Sequence, residues 1–328
     1  MTTSAPIAVL GPGSLGALLA RLVALGGQPV AWWGGEHAPL LERRARRRGE
    51  RDAGTTLPPE VRRCATPEEA LGSATLVFLA VPAGSLLDLA RRLGERLSPD
   101  RLVVHTAKGL EGPSGRRPTE ILAAEAPARR LGALAGPYLV AEVLAGYATT
   151  LVLGSRFDEV HQAVHDALAT ERIRIERTHD VAGVELAGAA AVALGAAAGL
   201  CSGLRLGSGA RAVLLARARQ EALHLGLASG ASAETFGGPA GLADLLVATN
   251  DPEGLGYRFG RRVGAGEPVA SVREDAEART EALRALEGLR TIARRTAVPA
   301  PTLEALRDIL VAGAPPAPTL DALLRSGS

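Results

Sequence analysis

The chain has 328 residues, with 37 basic against 35 acidic side chains and a formal net charge of +2, a balance that excludes a protein dominated by polyanion binding. Its length suits two domains, and its two cysteines, Cys64 and Cys201, have neither the number nor the spacing for a disulfide framework or a zinc signature, so a reducing cytoplasm fits. No basic region precedes the first apolar run, which reads as a strand rather than a secretory signal.

That run, Ile7 to Leu10, leads at once into Gly11, Gly13 and Gly16 and then into an apolar-periodic helix, in the order strand, tight turn, helix. In a dinucleotide fingerprint Gly11 permits the turn, Gly13 lets the backbone approach a pyrophosphate, and Gly16 lets helix and strand pack closely. The amides of the helix N-terminus, at Ser14 and Leu15, then face the anion. A Gly-rich structural turn is the competing reading.

Pro29 to Trp33 reads as a second strand, followed by Gly34, Gly35, Glu36 and His37. Glu36 would bond a ribose 2′-OH and repel a 2′-phosphate, which favours NAD over NADP; it reads equally well as a solvated loop acid. The arginines at 43, 44, 46, 47, 48, 51, 62 and 63 lie in a helix-like stretch without interleaved aromatics, so they read as a solvated helix face rather than a nucleic-acid patch.

Thr75 to Pro82 is a fully buried type of strand, followed by a helix from about Ser85 to Leu97 and a further strand at Leu102 to Thr106. The carboxyl end of that strand delivers Lys108 and Gly109, where open α/β sheets place groups that meet a ligand; Lys108 suits an anion or a carbonyl oxygen. Further strands are expected at Leu131 to Pro137, Thr149 to Leu153 and Ile173 to Ile175. His161 and His165, four apart on the helix between the last two, have metal-ligand spacing but no evident third ligand, so no metal is expected.

From Val181 strand-like runs stop and Ala/Leu-rich helical patterns continue to the end. The expectation is therefore α/β: residues 1–180 as a doubly wound Rossmann domain that binds NAD(P), and residues 181–328 as an all-α domain for substrate and dimerisation. Leu186 to Leu204 carries no charge and is about long enough to span a bilayer, but its Ala/Gly composition and lack of aromatic anchors favour a buried core helix. The expected partner is a small molecule, with no nucleic acid and no membrane span; an apolar face on the helical domain would suit a homodimer.

Taken together, several stretches resemble the NAD(P)-dependent glycerol-3-phosphate dehydrogenases of the bacterial type. They are Gly-x-Gly-Ser-x-Gly at 11–16, Val-Phe-Leu-Ala-Val-Pro at 77–82, Ala-Lys-Gly-Leu-Glu at 107–111, Gly136-Pro137, Val184 to Ala189, Gly241 to Leu245 and Arg258-Phe-Gly260. The resemblance implies a helical domain of the 6-phosphogluconate-dehydrogenase-like type and oxidation of sn-glycerol 3-phosphate to dihydroxyacetone phosphate, or the reverse. It implies that Lys108 contacts both substrate and cofactor, that Asp244 orients the catalytic centre, that Glu281 contacts the cofactor, and that Gly136 lies at the substrate.

The departures fall on the substrate side. Ala191 stands where the family carries its acid/base lysine, and Leu255-Gly256 where it carries an Arg-Asn that grips the substrate phosphate and cofactor. Ala135 and Tyr138 replace hydroxyl residues of the Ser-Gly-Pro-Ser/Thr-Phe motif, and Gly35 replaces the arginine after strand two. Loss of a general base costs about 10²- to 10⁴-fold in rate, and each charge-assisted bond to a phosphate is worth roughly 1.5–3 kcal/mol. Two readings stay open: a dehydrogenase with a changed substrate, in which Lys108, Tyr138 or His105 serves as acid/base, and an inactive dinucleotide-binding homologue that acts as sensor or partner subunit.

Overall fold

The computed structural model describes residues 6–35, 57–275 and 280–325. They form two compact units, one built from the chain up to Ala107 together with Pro118–Val181, the other from Lys108–Arg117 together with Ala182 onward. The division is thus not a single cut near residue 180, because the segment 108–117 packs with the helices of the second unit.

The first unit is an eight-stranded sheet of β1 (Ile7–Leu10), β2 (Val30–Trp33), β3 (Val61–Arg63), β4 (Leu76–Leu79), β5 (Leu102–His105), β6 (Arg130–Ala135), β7 (Thr149–Ser155) and β8 (Ile173–Thr178). The spatial order is 3-2-1-4-5-6-7-8. All neighbours are parallel except β6 and β7, which run antiparallel with Leu134 opposite Leu153. Both faces are covered, which is why β1 and β4 are apolar at every residue instead of alternating. Among the helices of this unit are α1 (Ser14–Leu25), α2 (Pro67–Leu71), α3 (Ala83–Leu93), α4 (Pro118–Glu125), α5 (Val140–Leu144) and α6 (Asp158–Leu168).

Two sequence expectations change here. Arg62 and Arg63 lie not on a helix but on β3, a three-residue edge strand whose arginines are both exposed; the strand is too short and too polar for periodicity to reveal it. Arg62 sits 3.5 Å from Glu69 across solvent. The other arginines of the run, with Glu36, lie outside the described residues. The helix expected from Ser85 begins at Ala83, directly after Pro82, and closes through a 3₁₀ turn at Gly94–Arg96.

The second unit is all helical after the segment 108–117: α7 (Val181–Gly203), α8 (Ser208–Ala228), α9 (Ala233–Gly237), α10 (Asp244–Asn250), α11 (Leu255–Gly264), α12 (Val269–Glu274), α13 (Ala282–Thr296), α14 (Pro301–Leu310) and α15 (Pro316–Arg325). Among the described residues α7 is the one helix long and apolar enough to cross a membrane, and 94% of its most apolar window is buried in the protein. Its Ala/Gly composition has a packing cause. A Cβ on Gly199 would strike the Tyr257 carbonyl and one on Gly203 the Arg261 carbonyl, while a Cβ on Gly260 or Gly264 of α11 would strike the carbonyls of Ala196 or Leu200 in return. The backbones of α7 and α11 are therefore in direct contact, and only glycine fits the seam.

Candidate active site

In the first unit β1 ends at Leu10, and the turn that follows is held from both sides: Gly11 N donates to the Trp33 carbonyl at 3.0 Å, and Trp32 Nε1 donates to the Gly11 carbonyl at 3.0 Å. The three glycines differ in what a side chain would meet. A Cβ on Gly11 would run into the backbone of Ala80 and one on Gly16 into the Gly11 carbonyl, whereas one on Gly13 has nothing within 4 Å. The first two are thus required by packing, and the third keeps a space open. Gly13 is the N-cap of α1 and offers no side chain to the first-turn amides, and no acidic residue lies in that turn. Ser14 is exposed and Leu15 half-buried there. β1 lies between β2 and β4, the point at which the strand order reverses and where open sheets bind dinucleotides. An uncovered helix N-terminus with room beside Gly13 fits a pyrophosphate.

The second unit assembles Lys108, Asp244 and Glu281 from three distant stretches. Lys108 Nζ donates to Asp244 Oδ1 at 2.8 Å, and its backbone N donates to Glu281 Oε2 at 3.3 Å. The side chain of Lys108 is 17% exposed, so this pair is largely removed from solvent. Asp244 opens α10 directly after the wide turn Pro239–Ala243, in which the Ala243 amide reaches back to the Gly238 carbonyl. Such five-residue turns re-aim a helix by one position and recur at functional sites. Asp244 is 3% exposed, its Oδ2 is buried without a hydrogen-bond partner, and burial pushes its carboxyl above the usual range against the opposing pull of the Lys108 ammonium.

Packing fixes where Lys108 stands. Leu110 fits against Gly288 of α13, where a Cβ would come within 2.6 Å of the Leu110 side chain. Arg117 Nη1 pairs at 3.0 Å with Glu185 Oε2, a carboxylate on α7 whose side chain is fully buried. α7 also runs past Lys108 itself, with a Cβ on Gly188 placed 3.7 Å from Lys108 Cγ. The role of Glu185 was not assigned from the sequence, although it is the sole charge in the Ala/Gly run 181–203 and that isolation was a usable signal.

Ala191 lies on α7, and Leu255 and Gly256 lie on α11. Ala191, one turn beyond Gly188 on α7, is buried and carries no ionisable group. Leu255 begins α11 with 49% of its surface exposed. At Gly256 a Cβ would come 3.2 Å from the Val192 carbonyl and 3.5 Å from Thr280 Oγ1, next in the chain to Glu281.

The remaining expected site residues belong to the first unit. Gly136 ends β6 at φ +128°, and a Cβ there would approach the Thr150 carbonyl at 2.9 Å, so strand packing alone accounts for its glycine. His105 is buried, and Tyr138 packs with Leu15, Leu18 and Val143 in the apolar core. His161 and His165 do not converge: His161 is buried, and His165 is exposed beside Asp166.

Residues 6–161 match the family model for the N-terminus of NAD-dependent glycerol-3-phosphate dehydrogenase, and residues 180–321 match that for its C-terminus. The chain is 32% identical to "Glycerol-3-phosphate dehydrogenase [NAD(P)+] 2" of Salinibacter ruber over 92% of its own length and 88% of the relative's. It is 34% identical to the glycerol-3-phosphate dehydrogenase [NAD(P)+] of Pseudomonas aeruginosa, over 84% of this chain and 83% of that one. The crystal structure of glycerol-3-phosphate dehydrogenase from Coxiella burnetii superposes with a TM-score of 0.89 at 27% identity, covering 98% of this chain and 99% of that one.

Proposed function

From the premise that this chain belongs to the NAD-dependent glycerol-3-phosphate dehydrogenase family, we propose that it interconverts a secondary alcohol and a ketone, with a substrate altered from glycerol 3-phosphate by Ala191, Leu255 and Gly256. The observation that carries this reading is the buried Lys108–Asp244 pair, with Glu281 on the Lys108 backbone. A structural ion pair has no need of an orphaned carboxylate oxygen, and Asp244 Oδ2 is one.

Gly11, Gly13, Ser14, Leu15 and Gly16 would hold the dinucleotide. Bound NAD(P) supplies the carrier of the hydride. The Lys108 ammonium supplies the proton side of the reaction. Directed at the substrate oxygen, it donates a proton to the carbonyl oxygen during reduction, and in the reverse direction the neutral amine so formed takes the hydroxyl proton as the hydride leaves. Asp244 balances the ammonium charge and orients the Lys108 side chain through the 2.8 Å ion pair. With leucine and glycine in place of Arg-Asn, the substrate is expected to carry an apolar or uncharged group where glycerol 3-phosphate carries its phosphate. The free thiols of Cys64 and Cys201 suit a reducing compartment, which we take as the site of action.

The buried methyl of Ala191 favours a second reading, a dinucleotide-binding homologue without turnover. One set of assays separates the two. NADH and NADPH are titrated by fluorescence, then oxidation is followed with sn-glycerol 3-phosphate, small secondary alcohols and 2-hydroxy acids. The first reading expects turnover of at least one alcohol, lost by about 10²-fold or more in Lys108→Met. Saturable cofactor binding with no turnover on any substrate supports the second.

A further inference from the structure

We propose that the first unit carries a divalent-metal site, zinc by its donor chemistry, formed by Asp158, His161 and His179. One ligand atom from each lies within 4.8 Å of the others. His161 is on α6 one turn after Asp158, and His179 follows β8, so the site joins two elements that meet where β7 turns into α6. Because β7 and β8 run opposite to β1–β6, this cluster lies at the other end of the sheet from the Gly11–Gly16 turn.

The cluster is built rather than incidental. The Ser155 carbonyl accepts from His161 Nε2 at 2.9 Å and from His179 Nδ1 at 3.0 Å, the kind of outer acceptor that fixes the tautomer and orientation of ligating imidazoles. The rings stand edge to face with centroids 5.5 Å apart. His161 is 2% exposed, and its other nitrogen, Nδ1, is buried without a hydrogen-bond partner, a cost a structure avoids unless something takes the lone pair. Donor atoms around tetrahedral zinc sit about 3.3 Å apart for bonds of 2.0–2.1 Å, so binding requires the exposed Asp158 and His179 side chains to move in from a spread of up to 4.8 Å. Two imidazoles and one carboxylate favour zinc over magnesium, and the fourth position goes to water. The role is a clasp on the last strand of the sheet.

The test uses the full chain, stripped with chelator and titrated with zinc chloride by calorimetry, with thermal melting in parallel. The expected result is one zinc per chain and a raised melting temperature. His179→Gln and Asp158→Asn, both at exposed positions, should melt like the stripped wild type and bind zinc more weakly by at least the roughly 10–100-fold that loss of an outer-shell partner alone costs. His165→Gln, on the same helix but facing away, should bind as wild type. Absence of saturable uptake by the wild type, or undiminished affinity in His179→Gln and Asp158→Asn, overturns the proposal.

Discussion

Replacing Gly13 with alanine separates the packing role of the fingerprint from its binding role. The residue has φ −83° and ψ 170°, which alanine adopts freely, and a Cβ there meets nothing within 4 Å. Folding stability should therefore change by no more than about 0.5 kcal/mol. The methyl group would occupy the space beside the α1 amides, and a pyrophosphate pushed off even one charge-assisted hydrogen bond loses roughly 1.5–3 kcal/mol, or about 10- to 150-fold in affinity. Fluorescence titration with NADH and NADPH measures the second effect and a urea melt the first. Gly11→Ala is the contrast, since its Cβ would collide with the Ala80 backbone and should lower stability. A Gly13→Ala protein that binds both cofactors as tightly as wild type refutes the argument, and so does one whose lost binding is matched by lost stability.

Other expectations rest on single sites. Gly199→Ala should lower the urea midpoint, because overpacking against the Tyr257 carbonyl costs about 1–3 kcal/mol or more while the gain in helix propensity returns only about 1. Burial pushes the Cys201 thiol up to about 11, so iodoacetamide at pH 8 should leave it unmodified until the protein unfolds. By the same linkage its contribution to stability is complete below 9.0 and is lost as pH rises through about 11, a loss that Cys201→Ala should not show in alkaline melts. The triple change Ala191→Lys, Leu255→Arg and Gly256→Asn should raise turnover of sn-glycerol 3-phosphate above the wild-type level. No gain in that assay would mean that more than those three contacts separates this chain from its relatives.

Much of the first unit was legible because its signals are local. Ile7 to Leu10 and the glycines after it state strand, turn and helix within ten residues, and Gly11 and Gly16 each have a steric reason to be glycine. The long run of α7 was equally readable as buried, since Ala and Gly gain little from lipid. What escaped was non-local. The Arg117–Glu185 pair spans 68 residues of chain, and the Lys108–Asp244 pair 136, distances over which no periodicity carries information. The spacing of His161 and His165 suggested a pair on one face, whereas the structure brings His179 to His161 from a different element. Residues 108–117 follow a strand and look like part of its sheet domain, yet packing of Leu110 and Arg117 assigns them to the helices.

The seam between α7 and α11 bears on how such a protein diverges. Since carbonyl oxygens rather than side chains set the distance between these helices, mutation cannot gradually widen or narrow it. Leu255, at the exposed start of α11, is under no such restraint. A change at any of the four glycines of the seam would have to move whole helices, whereas a change beside the seam has only side chains to displace.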